Sequence, residues 1–321
     1  MNAASDHGVV LDLATLHPQD LDLSGLRASL PRWDLHEHTA TADGARRLAD
    51  ASVAVTNKFP LDAALLARAP RLKLVCVAAT GTNNVDLAAA AARGIAVCNV
   101  TGYATPSVAE HVFALILSLQ RRLSEQQHAA HSLWAHQRDF CVLDYPLSEL
   151  RGQTLGLIGY GELGQAVARL GQAFGLNCLI AQRPGGDTRD RRVPLDALLQ
   201  SADIVSLHCP LTPATRGLIG ARELGLMKPT ALLINTARGG LVDELALLNA
   251  LQRGRLGGAG VDVLSEEPPL HGNPLLLNER PNLIVTPHIA WASREARQRL
   301  VDQLAENIRA YLAGAPRNRV N

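Results

Sequence analysis

Lysine is nearly missing from this chain. Only Lys58, Lys73 and Lys228 are present, and arginine carries the rest of the basic charge. We read that as compositional bias rather than function. An excess of either sign is missing too: 31 Lys and Arg stand against 30 Asp and Glu, for a formal net charge of +1. No bulk field therefore favours nucleic acid or a membrane surface as a partner. The longest apolar region, Val108 to Leu119, contains Glu110 and His111. It is too short to span a bilayer, which takes about 20 residues. The first residues lack a basic start followed by an apolar stretch, so no secretion signal is expected and a cytoplasmic location is. The five cysteines, Cys76, Cys98, Cys141, Cys178 and Cys209, include no pair at metal-ligand spacing. An odd count in that setting fits reduced, buried thiols. His128, His131 and His136 lack a fourth ligand, so no metal is expected and a surface place in a dimer-forming segment is. Internal repeats and low-complexity stretches are also absent.

What is present is alternation. With 321 residues and 47% apolar composition, the chain has room for two domains at roughly 100–200 residues each. Short β-rich runs alternate with Ala/Leu-rich helical stretches: strand-like 51–56, helical 61–69, strand-like 72–77, helical 85–93, strand-like 95–98. Alternation of this kind predicts parallel α/β layers. A second series has strands at 154–158, 178–181, 204–207, 232–234, 258–262 and 284–286. Between the two series a long helix is predicted from Ser107 to about Arg122, then a polar irregular segment from about His128 to Leu150. The last stretch, Ser293 to about Leu312, reads as an amphipathic helix.

Gly159-Tyr160-Gly161-Glu162-Leu163-Gly164 sits where the first strand of the second series meets a predicted helix, Glu162 to Phe174. That is the context a dinucleotide site requires. The first glycine allows the tight turn, and the second lets the backbone approach pyrophosphate. The third packs helix against strand, and Glu162 and Leu163 open the helix whose N-terminus faces the phosphate charge. About 20 residues on, an NAD site usually carries Asp or Glu for the ribose 2′-hydroxyl. Here the strand ends in Gln182-Arg183-Pro184-Gly185-Gly186. Nothing there repels a 2′-phosphate, and Arg183 could pair with one. Alternatively Gln182 binds the ribose and Arg183 points to water. NAD and NADP both remain open as cofactors.

Three later strand ends each deliver one ionisable residue. The run 231–234 delivers Arg238 within Asn235-Thr236-Ala237-Arg238-Gly239-Gly240. The run 258–262 leads to Glu266-Glu267-Pro268, and 283–285 delivers His288 within Thr286-Pro287-His288-Ile289-Ala290. A cation, a carboxylate and an imidazole at the carboxyl ends of parallel strands suit proton-coupled chemistry on an anionic substrate. Beside a dinucleotide site they imply hydride transfer.

Taken together with residues 79–86, the segment Tyr103 to His111 and His208-Cys209-Pro210-Leu211-Thr212, these motifs resemble the D-isomer-specific 2-hydroxyacid dehydrogenase family over nearly the whole chain. The continuation Trp291 to Glu295 is most similar to the glycerate dehydrogenase / hydroxypyruvate reductase branch. The resemblance implies an α/β fold of two Rossmann-like, doubly wound parallel-sheet domains with an interdomain cleft. It implies a discontinuous substrate domain, 1–102 plus 291–321, and a cofactor domain, 103–290. It further implies an NAD(P)H-dependent reductase of small 2-keto acids such as hydroxypyruvate or glyoxylate, working as a homodimer.

By the same resemblance, His288 exchanges the proton with substrate and Glu267 hydrogen-bonds it and favours its charged form. Glu267 rather than Glu266 is chosen because the family's carboxylate directly precedes the proline. Arg238 grips the substrate carboxylate, and backbone amides around Thr80 and Gly81 hold its other oxygen. Asp262 orients the nicotinamide carboxamide. Thr105, His208, Cys209, Pro210, Thr236 and Ala237 complete the cofactor contacts, together with Arg238 and His288. Cys209 has no activating partner in view, so no catalytic use is expected of it. Trp291 either walls the pocket or packs an interface. Two alternatives belong to other activities: a nucleotide-sensing co-repressor on this fold, which would need no proton donor, and a formate or phosphite dehydrogenase. The formate enzymes typically have Gln where Glu267 stands.

Overall fold

A computed structural model describes residues 6–183, 192–277 and 279–321. The chain divides into two compact units, one of residues up to 104 with 292–321 and the other of 105–291.

The first unit opens with β1 (His7–Val10), α1 (Ser24–Arg27), β2 (Arg32–Leu35), α2 (Gly44–Leu48) and β3 (Val53–Thr56). It continues with α3 (Ala63–Ala67), β4 (Leu74–Val77), α4 (Leu87–Ala92) and β5 (Ala96–Cys98). The second unit holds α5 (Thr105–Gln120), α6 (Leu123–Ser132), β6 (Thr154–Ile158), α7 (Glu162–Ala173), β7 (Asn177–Ala181) and β8 (Arg192–Val193). After these come α8 (Leu195–Ser201), β9 (Ile204–Leu207), α9 (Ala221–Leu226), β10 (Leu232–Asn235), α10 (Glu244–Gln252), β11 (Gly258–Val261) and β12 (Leu283–Val285). Finally α11 (Arg294–Leu312) returns to the first unit.

Each unit is built on one all-parallel sheet, in the order β2-β1-β3-β4-β5 and β12-β11-β10-β9-β6-β7-β8. Parallel strands covered on both faces must be apolar throughout. The inner strands obey this: VAVT in β3, LVCV in β4, IVSL in β9 and LLIN in β10 are buried at every position. Each fully buried Leu or Val in them contributes about 1.5–3 kcal/mol. The edge strands β2 (RWDL) and β8 (RV) are half-covered and polar. Helices start where side chains cap them. Asp62, Asp86, Asp243 and Ser293 each accept a backbone N–H at the head of α3, α4, α10 and α11;. Gly260 in β11 leaves room for α5, since a side chain there would meet Leu115 Cβ at 2.9 Å. In the first unit, Arg297 of α11 clamps the segment between β1 and α1, donating to the His17 carbonyl and, through two 2.7 Å bonds, to the Asp20 carboxylate.

Two expectations need adjusting. The segment expected to be irregular from His128 is helical up to Ser132, as the end of α6. Of the five free cysteines only Cys76 and Cys98 are buried, while Cys141, Cys178 and Cys209 are partly exposed. Among the described residues no helix is long and apolar enough to cross a membrane.

Candidate active site

In the second unit β6 has β7 on one side and β9 on the other, so the chain's direction of travel across the sheet reverses at β6 and β9. Ligands of open parallel sheets bind at the strand ends flanking such a reversal. The three glycines sit there, and each has its own physical reason. Gly159 has φ +102°, and a Cβ on it would fall 2.5 Å from the His208 carbonyl group. A Cβ on Gly164 would fall 2.2 Å from the Gly159 oxygen, because the head of α7 is pressed onto the turn. Gly161, which caps α7, has nothing within 4 Å of its would-be Cβ. That open side faces no protein atom and suits close approach of a phosphate to the unpaired N–H groups of the helix head.

The neighbouring side chains leave polar atoms unclaimed. His208 Nε2 meets Ser206 Oγ at 2.9 Å, while its buried Nδ1 has no protein partner. Burial holds the His208 imidazole down to about 4, so it is neutral near pH 7;. Thr236 Oγ1, after β10, is also buried without a partner. Burial pushes the Cys209 thiol up, away from reactivity;. Thr105 Oγ1 donates to Glu162 at 2.6 Å, so those two predicted residues bind each other. At the end of β7, Gln182 N donates to the Val193 carbonyl at 2.9 Å, and Arg183 is exposed. Residues 184–186 of that motif lie outside the described residues. An open glycine, a bare helix head and orphaned polar atoms at two adjacent strand ends fit a nicotinamide dinucleotide.

The ionisable residues converge on the next loops. Asn235 is buried and acts as a bracket, accepting from Ala237 N at 3.1 Å and donating to the Arg238 carbonyl at 2.9 Å. It presents an exposed Arg238. A Cβ on Gly239 would land 1.9 Å from the Leu264 carbonyl carbon, so this loop lies directly on the loop after β11. There Glu267 spans two partners. Its Oε1 accepts from Leu264 N at 2.8 Å, and its Oε2 lies 2.6 Å from His288 Nδ1. Glu266 instead faces His271 at 2.7 Å. A carboxylate only accepts, so His288 Nδ1 carries a hydrogen and Nε2 is the nitrogen able to take or give one. His288 itself has φ +55°, and its N–H donates to the Asp262 carbonyl at 2.8 Å. Asp262, 1% exposed, accepts from Thr286 Oγ1, Ile289 N and Ala290 N.

In the first unit, Thr80 and Gly81 follow β4. Thr80 Oγ1 donates to the Val100 carbonyl, and the Thr80 carbonyl accepts from Asn99 Nδ2. Sequence reasoning gave no role to Asn235, Thr286 or Glu244. Glu244, at the head of α10, holds Ser265 N, Ser265 Oγ and Asn273 Nδ2 at 2.7–2.8 Å and so fixes the loop that carries Glu267. An Asn at a strand end three residues before a charged residue is a local signal that could have found Asn235.

Residues 113–290 match the family described as D-isomer specific 2-hydroxyacid dehydrogenase, NAD binding domain. The chain belongs to that family. It is 48% identical over 273 residues to a glycerate dehydrogenase of Methylorubrum extorquens, covering 85% of this chain and 86% of that one. It is 39% identical over 321 residues to a hydroxypyruvate reductase of Blautia hydrogenotrophica, covering 98% and 99%. A solved NADPH-dependent glyoxylate/hydroxypyruvate reductase of Sinorhizobium meliloti, in complex with NADP and malonate, superposes with a TM-score of 0.80 at 30% identity, over 98% of this chain and 97% of that one. As a D-2-hydroxyacid dehydrogenase the chain is an NAD(P)-dependent oxidoreductase.

Proposed function

We propose that this dehydrogenase reduces a short 2-keto acid, hydroxypyruvate or glyoxylate, to the 2-hydroxy acid. The observation that carries the proposal is the 2.6 Å pairing of His288 Nδ1 with Glu267, which leaves Nε2 for proton exchange;. The names borne by the similar proteins, glycerate dehydrogenase and hydroxypyruvate reductase, support the substrate class.

The cofactor, when bound, supplies hydride in the reductive direction. It would be held by the head of α7 with Gly159, Gly161 and Gly164, by Gln182 and Arg183 at the ribose, and by the loops at 208–210 and 236–238. A carboxylate has about four lone-pair sites. Asp262 uses three of them, and the fourth is our candidate acceptor for the nicotinamide carboxamide. His288 Nε2 would give its proton to the substrate oxygen in reduction and take one back in oxidation. Glu267 holds the hydrogen on Nδ1 and so fixes which nitrogen reacts;. Arg238 offers a planar fork of donors to the substrate carboxylate and polarises the carbonyl. The amides of Thr80 and Gly81 are assigned to its other oxygen.

We assign substrate binding to the first unit and cofactor binding to the second, and place the protein in the cytoplasm as a homodimer. Leu123, Trp134, Phe140, Leu143 and Leu147 stand exposed within one short stretch of the second unit. Exposed apolar side chains this close in sequence support pairing through this segment.

The test is the initial rate of NADH and NADPH oxidation with hydroxypyruvate, glyoxylate and pyruvate, each in separate reactions. Turnover with hydroxypyruvate or glyoxylate is expected. Cofactor binding without turnover on any of the three would refute the substrate class.

A further inference from the structure

We propose that His111 is a positioning residue for His288, acting through the hydroxyl of Thr286 and the carboxylate of Asp262. The proposal rests on the assignment of His288 as the acid–base group.

The geometry fixes the direction of the chain of hydrogen bonds. His111 lies on α5, a helix that packs on β10, β11 and β12. Its Nε2 lies 3.0 Å from Thr286 Oγ1 and 3.6 Å from Asp262 Oδ1. Thr286 Oγ1 in turn lies 2.6 Å from Asp262 Oδ1. A threonine hydroxyl has one hydrogen, and a carboxylate only accepts. Thr286 must spend that hydrogen on Asp262, so it can only accept from His111. His111 Nε2 therefore carries a hydrogen and is the donor at the head of the chain.

The far end of the chain is the His288 turn. The carboxylate that receives the Thr286 hydrogen also accepts Ile289 N and Ala290 N, each at 2.9 Å, and the Asp262 carbonyl accepts His288 N at 2.8 Å. These bonds define a turn in which His288 holds φ +55°, a region that a non-glycine residue keeps only when its surroundings impose it. A second tie runs from the same helix, because Ser107 Oγ donates to the Ala290 carbonyl at 2.6 Å. Helix α5 thus grips the turn twice, once through the backbone at Ala290 and once through His111. Without the His111 donor, the Thr286 oxygen loses one of the two bonds that orient it, and its bond to Asp262 Oδ1 is held less firmly. The imidazole of His288 is then aimed less well at the substrate oxygen, while the cofactor-binding glycines and Arg238 are untouched.

The test uses the full-length enzyme with its preferred cofactor and keto acid. H111F fills the space without a donor, H111Q places an amide nitrogen at the reach of Nε2, and T286V removes the hydroxyl at constant shape. H111F and T286V are each expected to lower kcat about tenfold, the upper range for one hydrogen bond. KM should stay unchanged, and cofactor Kd should move far less than kcat, since Asp262 keeps Ile289 N and Ala290 N as partners. H111Q should recover most of the loss, and the H111F/T286V double variant should fall no further than T286V alone. Additive losses in the double variant would overturn the proposal, as would H111Q behaving like H111F or a loss confined to cofactor affinity. Should H111F fail to fold, wild-type kcat in T286V alone would overturn it. H288N serves as the control. Turnover surviving in H288N would remove the group being positioned and refute both assignments. An inactive H288N beside fully active H111F and T286V would refute the positioning role alone.

Discussion

Two glycines three residues apart in the same motif, Gly161 and Gly164, should fail in different ways when each becomes alanine. In Gly164→Ala the new methyl meets the Gly159 carbonyl oxygen at 2.2 Å and its carbon at 3.1 Å. The helix head must then move off the turn by roughly an ångström, an overpacking strain of about 1–3 kcal/mol. In a unit of this size that lowers Tm by about 2–12 °C. Cofactor affinity should fall as well, because the displaced helix carries the N–H groups that face phosphate. Gly161→Ala is the contrast. Its backbone, φ −80° and ψ −159°, is open to any residue, and no protein atom lies within 4 Å of the added carbon. The poorer cap costs up to about 1 kcal/mol, and the stiffer unfolded chain returns about 0.4–1 kcal/mol, so Tm should hardly move. Affinity for NADH and NADPH should nevertheless drop at least about tenfold, near 1.4 kcal/mol, if phosphate lies against Gly161. Thermal unfolding and equilibrium cofactor binding on both variants separate the cases. Wild-type affinity in Gly161→Ala would refute the placement of the phosphates. An unchanged Tm in Gly164→Ala would refute the packing.

Three further outcomes are expected. Replacing Arg183 with a neutral residue should weaken NADPH more than NADH in Kd measurements; equal effects would sink the pairing with a 2′-phosphate. The Arg297 guanidinium holds the Asp20 carboxyl down to about 2, from an ordinary 3.8. Its folded value lies below its unfolded one, so the pair's contribution is complete above the unfolded value and vanishes as pH falls toward 2. Asp20→Asn should therefore lower Tm at neutral pH and match the wild type near pH 2, and a gap that persists in acid would contradict this. Burial holds His208 neutral down to about 4, so acid should destabilise the second unit as pH falls from about 6.5 toward 4. His208→Asn should flatten that part of the Tm-against-pH curve, and an unchanged slope would assign it elsewhere.

The strands that were legible in the sequence are those buried on both faces, because short, mostly apolar runs bounded by turn residues fit a covered parallel strand;. β1 and β2 were not foreseen. His7 and Gly8 break the apolar run of the first, and the second is an edge strand, Arg-Trp-Asp-Leu, whose half-exposed composition resembles a loop. The two-residue β8 is too short for any period. At the site, Gly159, Gly161, Gly164, Arg238, Glu267 and His288 stood out because each follows a strand, and parallel strands end side by side. Their supports did not. Glu244 holds Ser265 from 21 residues away, and His111 reaches Thr286 across 175. Contacts of that separation leave no local pattern, since the sheet alone brings them together.

The measurement that bears most directly on the chemistry is the turnover of His288→Ala, taken beside its affinity for the reduced cofactor. Loss of a positioned proton donor removes about 10²–10⁴-fold of rate, and the proposed cofactor contacts lie mainly on other loops. A kcat reduced by that order with cofactor Kd preserved is the expected result. Turnover close to wild type, or cofactor binding lost together with activity, would contradict the assignment of His288 as the acid–base group.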